Sequence, residues 1–124
     1  MIGPFNLSNK YKKEDLMKLL SVAIPCFNSQ EYMKNCIESL LPGGDLVEIL
    51  IINDGSSDQT SEIADEYAAL YPTQVKAIHQ INGGHGEAVN AGMRNATGMY
   101  FKVVDSDDWV DAEAKMNAWL NYDF

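Results

Sequence analysis

The fold is decided by the stretch VEILIINDGSSD, residues 47–58. Its first part, 47–52, is the strongest apolar run of the chain and is typical of a buried β-strand. The polar residues that follow, 53–58, predict a turn and supply candidates for the N-cap of a helix. The helix is predicted over 58–71 and ends before Pro72, and Asp58 is expected to have only a structural role. A strand that passes through such a turn into a helix is the repeating unit of a parallel sheet.

The same unit occurs on both sides of this stretch. The other predicted strands cover 19–24, which Pro25 closes, 75–81 and 99–104, and the other predicted helices cover 32–41, 87–96 and 111–120. Parallel strands need crossover connections, and the crossovers cover the sheet. The sequence therefore predicts an α/β domain over 19–124, with a mostly parallel sheet and helices on both faces, preceded by an arm or helix over 1–18.

Charge restricts the ligands that this chain can take. Nine basic residues against eighteen acidic ones give a net charge of -9, which disfavours nucleic acid and anionic lipid. A polyanion would have to bind through backbone amides, a helix N-terminus or a cation held by carboxylates. No apolar run approaches about 18 residues, so no transmembrane segment is expected. Cys26 and Cys36 fit neither a disulfide framework nor a metal set, which favours reduced thiols in the cytoplasm.

Polar residues collect after each predicted strand, where open parallel sheets bind their ligands. After the fourth strand, Asp105, Asp107 and Asp108 place three carboxylates within four residues. Such a cluster needs a cation, hydrogen bonds or open solvent, and its oxygens suit Mg²⁺ or Mn²⁺. Taken alone it is more often a solvated turn. Its position after a buried strand favours a metal site.

The loops after the second and third strands leave alternatives open. Asp54 could accept hydrogen bonds from a ribose or a base, or equally from loop amides. Gly83 and Gly84 permit close backbone approach to a ligand, but they would also suit a tight strand-to-helix turn. His85 could contact a base or a phosphate, although a lone histidine there is more often a surface residue. His79 is expected to have no functional role.

Read together, four motifs resemble the family 2 glycosyltransferases: VAIPCFN at 22–28, IINDGSSD at 51–58, NGG at 82–84 with NAG at 90–92, and VDSDDW at 104–109. Their shared order and spacing are more specific than any one motif. The resemblance implies a GT-A fold with a Rossmann-like nucleotide-binding half. It also implies inverting transfer from a nucleoside-diphosphate sugar to an unknown saccharide or lipid-linked acceptor, in polysaccharide biosynthesis. The expected location is cytoplasmic, with the inner face of the membrane reached only through partners.

The resemblance also assigns site residues. The donor would be bound by Pro25, Asn28, Asp54, Gly83, Gly84 and Asp105, and the metal, Mg²⁺ or Mn²⁺, by Asp105 and Asp107, with Asp108 beside them. Two positions depart from the family pattern. Val89 stands where the family commonly has an arginine, so that a donor contact is missing or is supplied elsewhere, with Arg94 as a candidate. Asn53 replaces the first acid of the usual Asp-Asp pair.

The catalytic residue is unknown, because the family's general base lies downstream of the acidic motif in sequence that this chain lacks. The chain is therefore expected to bind a donor nucleotide but to transfer sugar poorly or not at all. The alternative is a truncated or degenerate nucleotide-binding module without catalysis. A dehydrogenase would need GxGxxG after the first strand, where residues 25–29 read PCFNS. The sheet edge after the fourth strand makes a homodimer a further hypothesis.

Overall fold

A computed structural model describes residues 18–108, and every structural statement below refers to that part of the chain. Strands and helices alternate in it: β1 (Leu20–Cys26), α1 (Met33–Leu40), a 3₁₀ segment (Leu41–Leu46), β2 (Val47–Asp54), α2 (Thr60–Leu70), β3 (Val75–Gln80), α3 (His85–Asn95) and β4 (Tyr100–Val103). The four predicted strands and the first three predicted helices are confirmed, with ends that differ by at most two residues. The predicted helix over 111–120 and residues 1–17 of the predicted arm lie outside the described residues.

The sheet is parallel, with the strand order β3-β2-β1-β4. The chain moves outward from β1 to β3 and then returns to place β4 on the other side of β1, so the order reverses between β1 and β4. Reversal points of this kind are where open α/β sheets bind ligands. The predicted fold class is confirmed. None of the described helices is long and apolar enough to cross a membrane.

Helices cover both faces of the sheet, as predicted. On one face, α1 and α2 pack against alternate residues of β1 and β2. On the other face, α3 packs through Ala88 and Ala91 against Leu50 and Ile52. A Cβ atom added at Gly92 of α3 would lie 2.7 Å from the Cβ of Ala23. The helix therefore lies so close to β1 that no side chain fits at this position.

Strand β1 continues past Pro25, which corrects the expectation that this proline closes the strand. All seven residues of β1 are buried. Pro25 is paired with Ile52 of β2, whereas the pairing of β1 with β4 ends at Ala23. A proline has no N–H to donate, and it is tolerated here because this part of β1 has a paired neighbour on one side only.

Glu48 is a buried carboxylate inside β2, with 1% of its surface exposed. It accepts hydrogen bonds from Lys76 Nζ at 2.7 Å, from Ser21 Oγ at 2.8 Å, and from the N–H and Oγ1 of Thr97 at 2.9 Å each. Burial acts to raise the pKa of Glu48, but these hydrogen bonds, led by that from Lys76, outweigh it and lower the pKa. The ionised carboxylate ties β1, β2, β3 and the turn before β4 together at the amino ends of the strands.

Candidate functional site

A pocket of about 250 Å³ lies beyond the carboxyl ends of β1 and β2. Its lining consists of Pro25, Cys26, Phe27, Asp54, Asn82, Gly84, His85 and Ala88. The first three residues form one wall, at the carboxyl end of β1, and the last four form a second wall, which follows β3. Asp54 lies between the walls because β2 lies between β1 and β3. Three of the residues predicted to bind the donor, Pro25, Asp54 and Gly84, are thus brought together in one concave site.

Asp54 is 3% exposed, and its carboxylate holds the turn that follows β3. Oδ1 accepts the Gly83 N–H at 2.8 Å and Gln80 Nε2 at 2.9 Å, and Oδ2 accepts the Gly84 N–H at 3.0 Å. Desolvation acts to raise the pKa of Asp54, but these three hydrogen bonds outweigh it and lower the pKa. The carboxylate is therefore ionised at neutral pH, and Oδ2 retains an acceptor position for a ligand.

The glycine turn after β3 is shaped by close contacts with the preceding loop. Gly84 has φ +94°, and a Cβ at Gly55, where φ is +68°, would lie 2.6 Å from the Asn82 nitrogen. Asn82 Nδ2 donates to the Asp54 carbonyl at 2.9 Å. These contacts fix Gly83 and Gly84 beside Asp54, and they direct the amides of both glycines to that carboxylate.

Asn28 lies outside the pocket lining and joins the first loop to the second. Its backbone, with φ 49°, is in the left-handed region that asparagine tolerates. The Asn28 N–H donates to Ser56 Oγ at 2.9 Å, and its Oδ1 accepts the Ser57 N–H at 2.8 Å. The side chain that was expected to bind the donor is thus engaged in holding two loops together.

The acidic loop, residues 105–108, follows β4 at the same edge of the sheet. Asp105, Asp107 and Asp108 are exposed, and each offers a carboxylate oxygen within 4.8 Å of the others. The Asp108 N–H donates to the Asp105 carbonyl at 3.0 Å and closes the turn. Exposed hard oxygen ligands at this spacing fit a divalent cation such as Mg²⁺ or Mn²⁺.

A pair of serines connects this acidic loop to the first loop. Ser106 Oγ lies 2.8 Å from Ser29 Oγ, which in turn accepts the N–H of the wall residue Phe27 at 3.1 Å. The Cys36 thiol also contacts the Asp105 carbonyl at 3.5 Å. The acidic loop and the pocket are therefore adjacent parts of one hydrogen-bonded rim.

Two side chains given structural roles by sequence have structural partners. Asp58 accepts the Thr60 N–H at 2.9 Å, at the start of α2, and the Gln30 N–H at 3.2 Å. His79 lies 3.0 Å from Asn53 Nδ2 through Nδ1 and 2.8 Å from Asp65 Oδ1 through Nε2. Neither Asp58 nor His79 belongs to the pocket lining.

Arg94 does not occupy the position that an arginine at residue 89 would have. It forms an ion pair with Glu87 at 2.9 Å. Residues five apart are separated by about 140° around an α-helix, so Arg94 and Val89 lie on different sides of α3. Arg94 therefore does not point in the direction from which an arginine at position 89 would contact the donor.

Sequence reasoning missed two features of this site. Phe27, for which no role was predicted, is 55% exposed and forms part of the β1 wall. An aromatic residue directly after a buried strand was the available signal. The contact between Ser29 and Ser106 had no local signal, because the two residues are 77 positions apart.

The family assignment rests on a sequence match that covers most of the chain. Residues 21–118 match the model of glycosyl transferase family 2. The chain belongs to glycosyl transferase family 2. The matched range contains nearly all of β1, the other three strands, the pocket and the acidic loop, so both candidate sites lie inside the family 2 region.

Several known proteins are similar to this chain over most of its length. EpsJ of Bacillus subtilis (strain 168), an uncharacterized glycosyltransferase, is 38% identical over 98 residues, which are 78% of this chain and 28% of EpsJ. YibD of Escherichia coli (strain K12), also an uncharacterized glycosyltransferase, is 47% identical over 92 residues, 73% of this chain and 26% of YibD. The crystal structure of S. aureus TarS 1-349 in complex with UDP-GlcNAc is 29% identical with a TM-score of 0.70, covering 85% of this chain and 31% of that one. The GT-A fold is confirmed, and the chain spans only 26 to 31% of the length of these three relatives.

Proposed function

We propose that this chain carries the donor-binding half of a glycosyltransferase, which transfers a sugar from a nucleoside-diphosphate sugar to an acceptor hydroxyl with inversion. The observation that carries the proposal is the placement of the pocket and of the acidic loop side by side at one edge of a parallel sheet. Membership of family 2 and the UDP-GlcNAc complex of the TarS relative support it.

The nucleoside would occupy the pocket between the two walls. The exposed ring of Phe27 offers a face on which a base can stack. Asp54 Oδ2 retains an acceptor position for a base N–H or a ribose hydroxyl. Gly84, which has no side chain, lets the opposite wall approach the ligand closely. Pro25 and Gly83 support these contacts from the strand end and from the turn.

The diphosphate would extend from the pocket to the acidic loop. Asp105 and Asp107, with Asp108 beside them, would hold Mg²⁺ or Mn²⁺ there. The bound cation supplies the positive charge that neutralises the departing nucleoside diphosphate. A chain with a net charge of -9 needs such a counter-charge to retain a polyanion. Transfer also needs a general base for the acceptor hydroxyl, and the acceptor is an unidentified saccharide or lipid-linked saccharide.

Calorimetry of the 124-residue chain with UDP and with GDP tests the proposal. We expect one of them to bind, with an affinity that rises when Mn²⁺ is added and falls when the metal is chelated. The double variant Asp105→Asn/Asp107→Asn should lose the Mn²⁺ effect. The matched control Glu62→Gln/Glu66→Gln, which removes the same charge from exposed positions of α2, should keep it. Absence of binding by both nucleotides, or binding that ignores Mn²⁺, contradicts the proposal.

A further inference from the structure

The pocket lining includes one side chain, His85, that can donate a hydrogen bond and is engaged by no other residue within 18–108. Asn82 Nδ2 donates to the Asp54 carbonyl, and the Cys26 thiol donates to the Ile24 carbonyl at 3.5 Å. The other lining side chains are apolar, absent, or, in Asp54, an ionised acceptor. His85 lines the pocket and is exposed, and its side chain forms no hydrogen bond with any other described residue. Its imidazole is therefore available to a ligand.

The position of His85 on α3 shows which part of the ligand it can reach. Residues 85, 89 and 92 follow one another at helical spacing and share one side of α3. Gly92 on this side packs against Ala23 of β1 and Phe101 of β4. This side of the helix therefore faces β1 and β4, whereas Glu87 and Arg94 lie on another side. His85 is at the end of α3 nearest the pocket, on the side that leads from Asp54 toward the acidic loop.

We propose that His85 binds the donor by donating a hydrogen bond from its imidazole to an oxygen of the diphosphate. The inference rests on the proposed function, in which the ligand spans from Asp54 to a cation on the acidic loop. A diphosphate has acceptors only, so every direct protein contact to it must come from a donor. The two positions of α3 at which an arginine was considered are less suited to this contact, because Val89 is apolar and Arg94 is paired with Glu87.

The assignment to the diphosphate, and not to the base, follows from the distribution of groups along the edge. Asp54 and Phe27 offer an acceptor and an aromatic face, which suit a nucleobase. His85 offers a donor on the side toward the acidic loop, and an acceptor-rich ligand segment must cross that region to reach the metal. The base of the ligand thus matches Asp54 and Phe27, and its diphosphate matches His85.

Comparing the affinities for a nucleoside and for its diphosphate shows whether His85 contacts the base and ribose or the diphosphate. We expect His85→Ala to weaken binding of UDP in Mn²⁺ about tenfold, the effect of losing one hydrogen bond to a charged group, and to leave uridine binding unchanged. His85→Gln, which keeps an N–H donor, should recover most of the affinity for UDP. Arg94→Gln, which removes a cation from the same helix, should change neither affinity. If wild type prefers GDP, guanosine and GDP replace the uridine pair.

The outcomes that overturn the inference are distinct from failure of the proposed function. Equal losses for uridine and UDP in His85→Ala would show a contact with the base or ribose, and unchanged UDP binding would show no contact at all. Recovery in His85→Phe instead of His85→Gln would indicate stacking. Failure of wild type itself to bind UDP or GDP would refute the proposed function. The unfolding temperature of each variant, compared with that of wild type, verifies that the substitution has left the fold intact.

Discussion

Asp54 at the end of β2 accepts the N–H of Gly84, at 3.0 Å, and so holds the turn that follows a different strand, β3. The same carboxylate accepts the Gly83 N–H at 2.8 Å. One acid therefore determines both the floor of the pocket and the path of the chain into α3. Its binding role and its structural role have to be separated by experiment.

Substitution of Asp54 by Asn is expected to damage the turn and the site together. The amide group would direct an NH₂ at one of the two glycine N–H groups, which would leave that part-buried N–H without its acceptor. We expect the free energy of unfolding to fall by about 1–3 kcal/mol and UDP affinity to fall as well, measured by urea denaturation and calorimetry. Glu66→Gln on exposed α2 serves as control, with a change below about 0.5 kcal/mol. Equal urea midpoints for wild type and Asp54→Asn would contradict the structural role.

The pH dependence of stability is expected to come from Glu48, Asp54 and Asp58, whose pKa values are lowered in the folded protein. A lowered pKa means that the folded state favours the ionised form. The stability gained is fully present above the unfolded pKa of about 4, and it is lost as pH falls through the folded pKa. We expect the free energy of unfolding to be nearly level from about pH 7 to pH 5 and to decline below about pH 4.

Glu48→Gln tests the share of this dependence that belongs to the buried carboxylate. A neutral amide cannot accept all the hydrogen bonds that Lys76, Ser21 and Thr97 donate. We expect a loss of about 1–3 kcal/mol at neutral pH, measured by urea denaturation, and a smaller further loss on acidification. An acid-induced loss equal to that of wild type would show that Glu48 does not contribute.

The two cysteines are expected to be unreactive in the folded protein. Burial raises the pKa of both the Cys26 and the Cys36 thiol to about 12, and the thiolate is the form that attacks an alkylating reagent. At about pH 8, iodoacetamide should modify neither residue in native protein and both in denaturing urea, as mass spectrometry can count. Rapid modification of either thiol in the native state would contradict this assignment.

The close approach of α3 to β1 makes a stability prediction with an internal control. The added methyl group of Gly92→Ala would overlap Ala23, and overpacking of this kind costs about 1–3 kcal/mol in thermal or urea unfolding. Gly86→Ala, near the start of the same helix, would meet nothing within 4 Å. We expect that control to be neutral or to stabilise the protein by up to about 1 kcal/mol. Similar effects of the two substitutions would place α3 farther from the sheet.

Much of the fold was predictable because its signals are local. The strands are apolar runs and the helices have helical spacing, and turn residues such as Pro72 and Gly83 separate them. The strand ends were not predictable, because Pro25 and Asn53 belong to β1 and β2 only through the pairing of these two strands. The burial of Glu48 likewise depends on partners from three other segments.

The sequence predicts where the candidate site lies, but it does not predict which residues contact one another there. Order along the chain and the rule for parallel sheets place Asp54 and the acidic loop at one edge. The partners of Asp54 are 26 to 30 residues away, so no local pattern identifies them. Asn28 shows the same limit, since its side chain is engaged by Ser57. The donor and metal roles assigned by family resemblance remain predictions that the calorimetry above tests.

The pair Ser29 and Ser106 has a thermodynamic consequence. Through the Phe27 N–H, which Ser29 accepts, the β1 wall and the acidic loop share one small hydrogen-bonded unit. A cation that steadies the acidic loop should also steady this wall, so part of the ordering that a nucleotide requires would already be complete. Coupling of this kind is reciprocal, and we expect the nucleotide to raise the affinity for the cation by the same factor. Cooperativity between the two ligands could then persist for a nucleoside that lacks phosphates and never touches the metal.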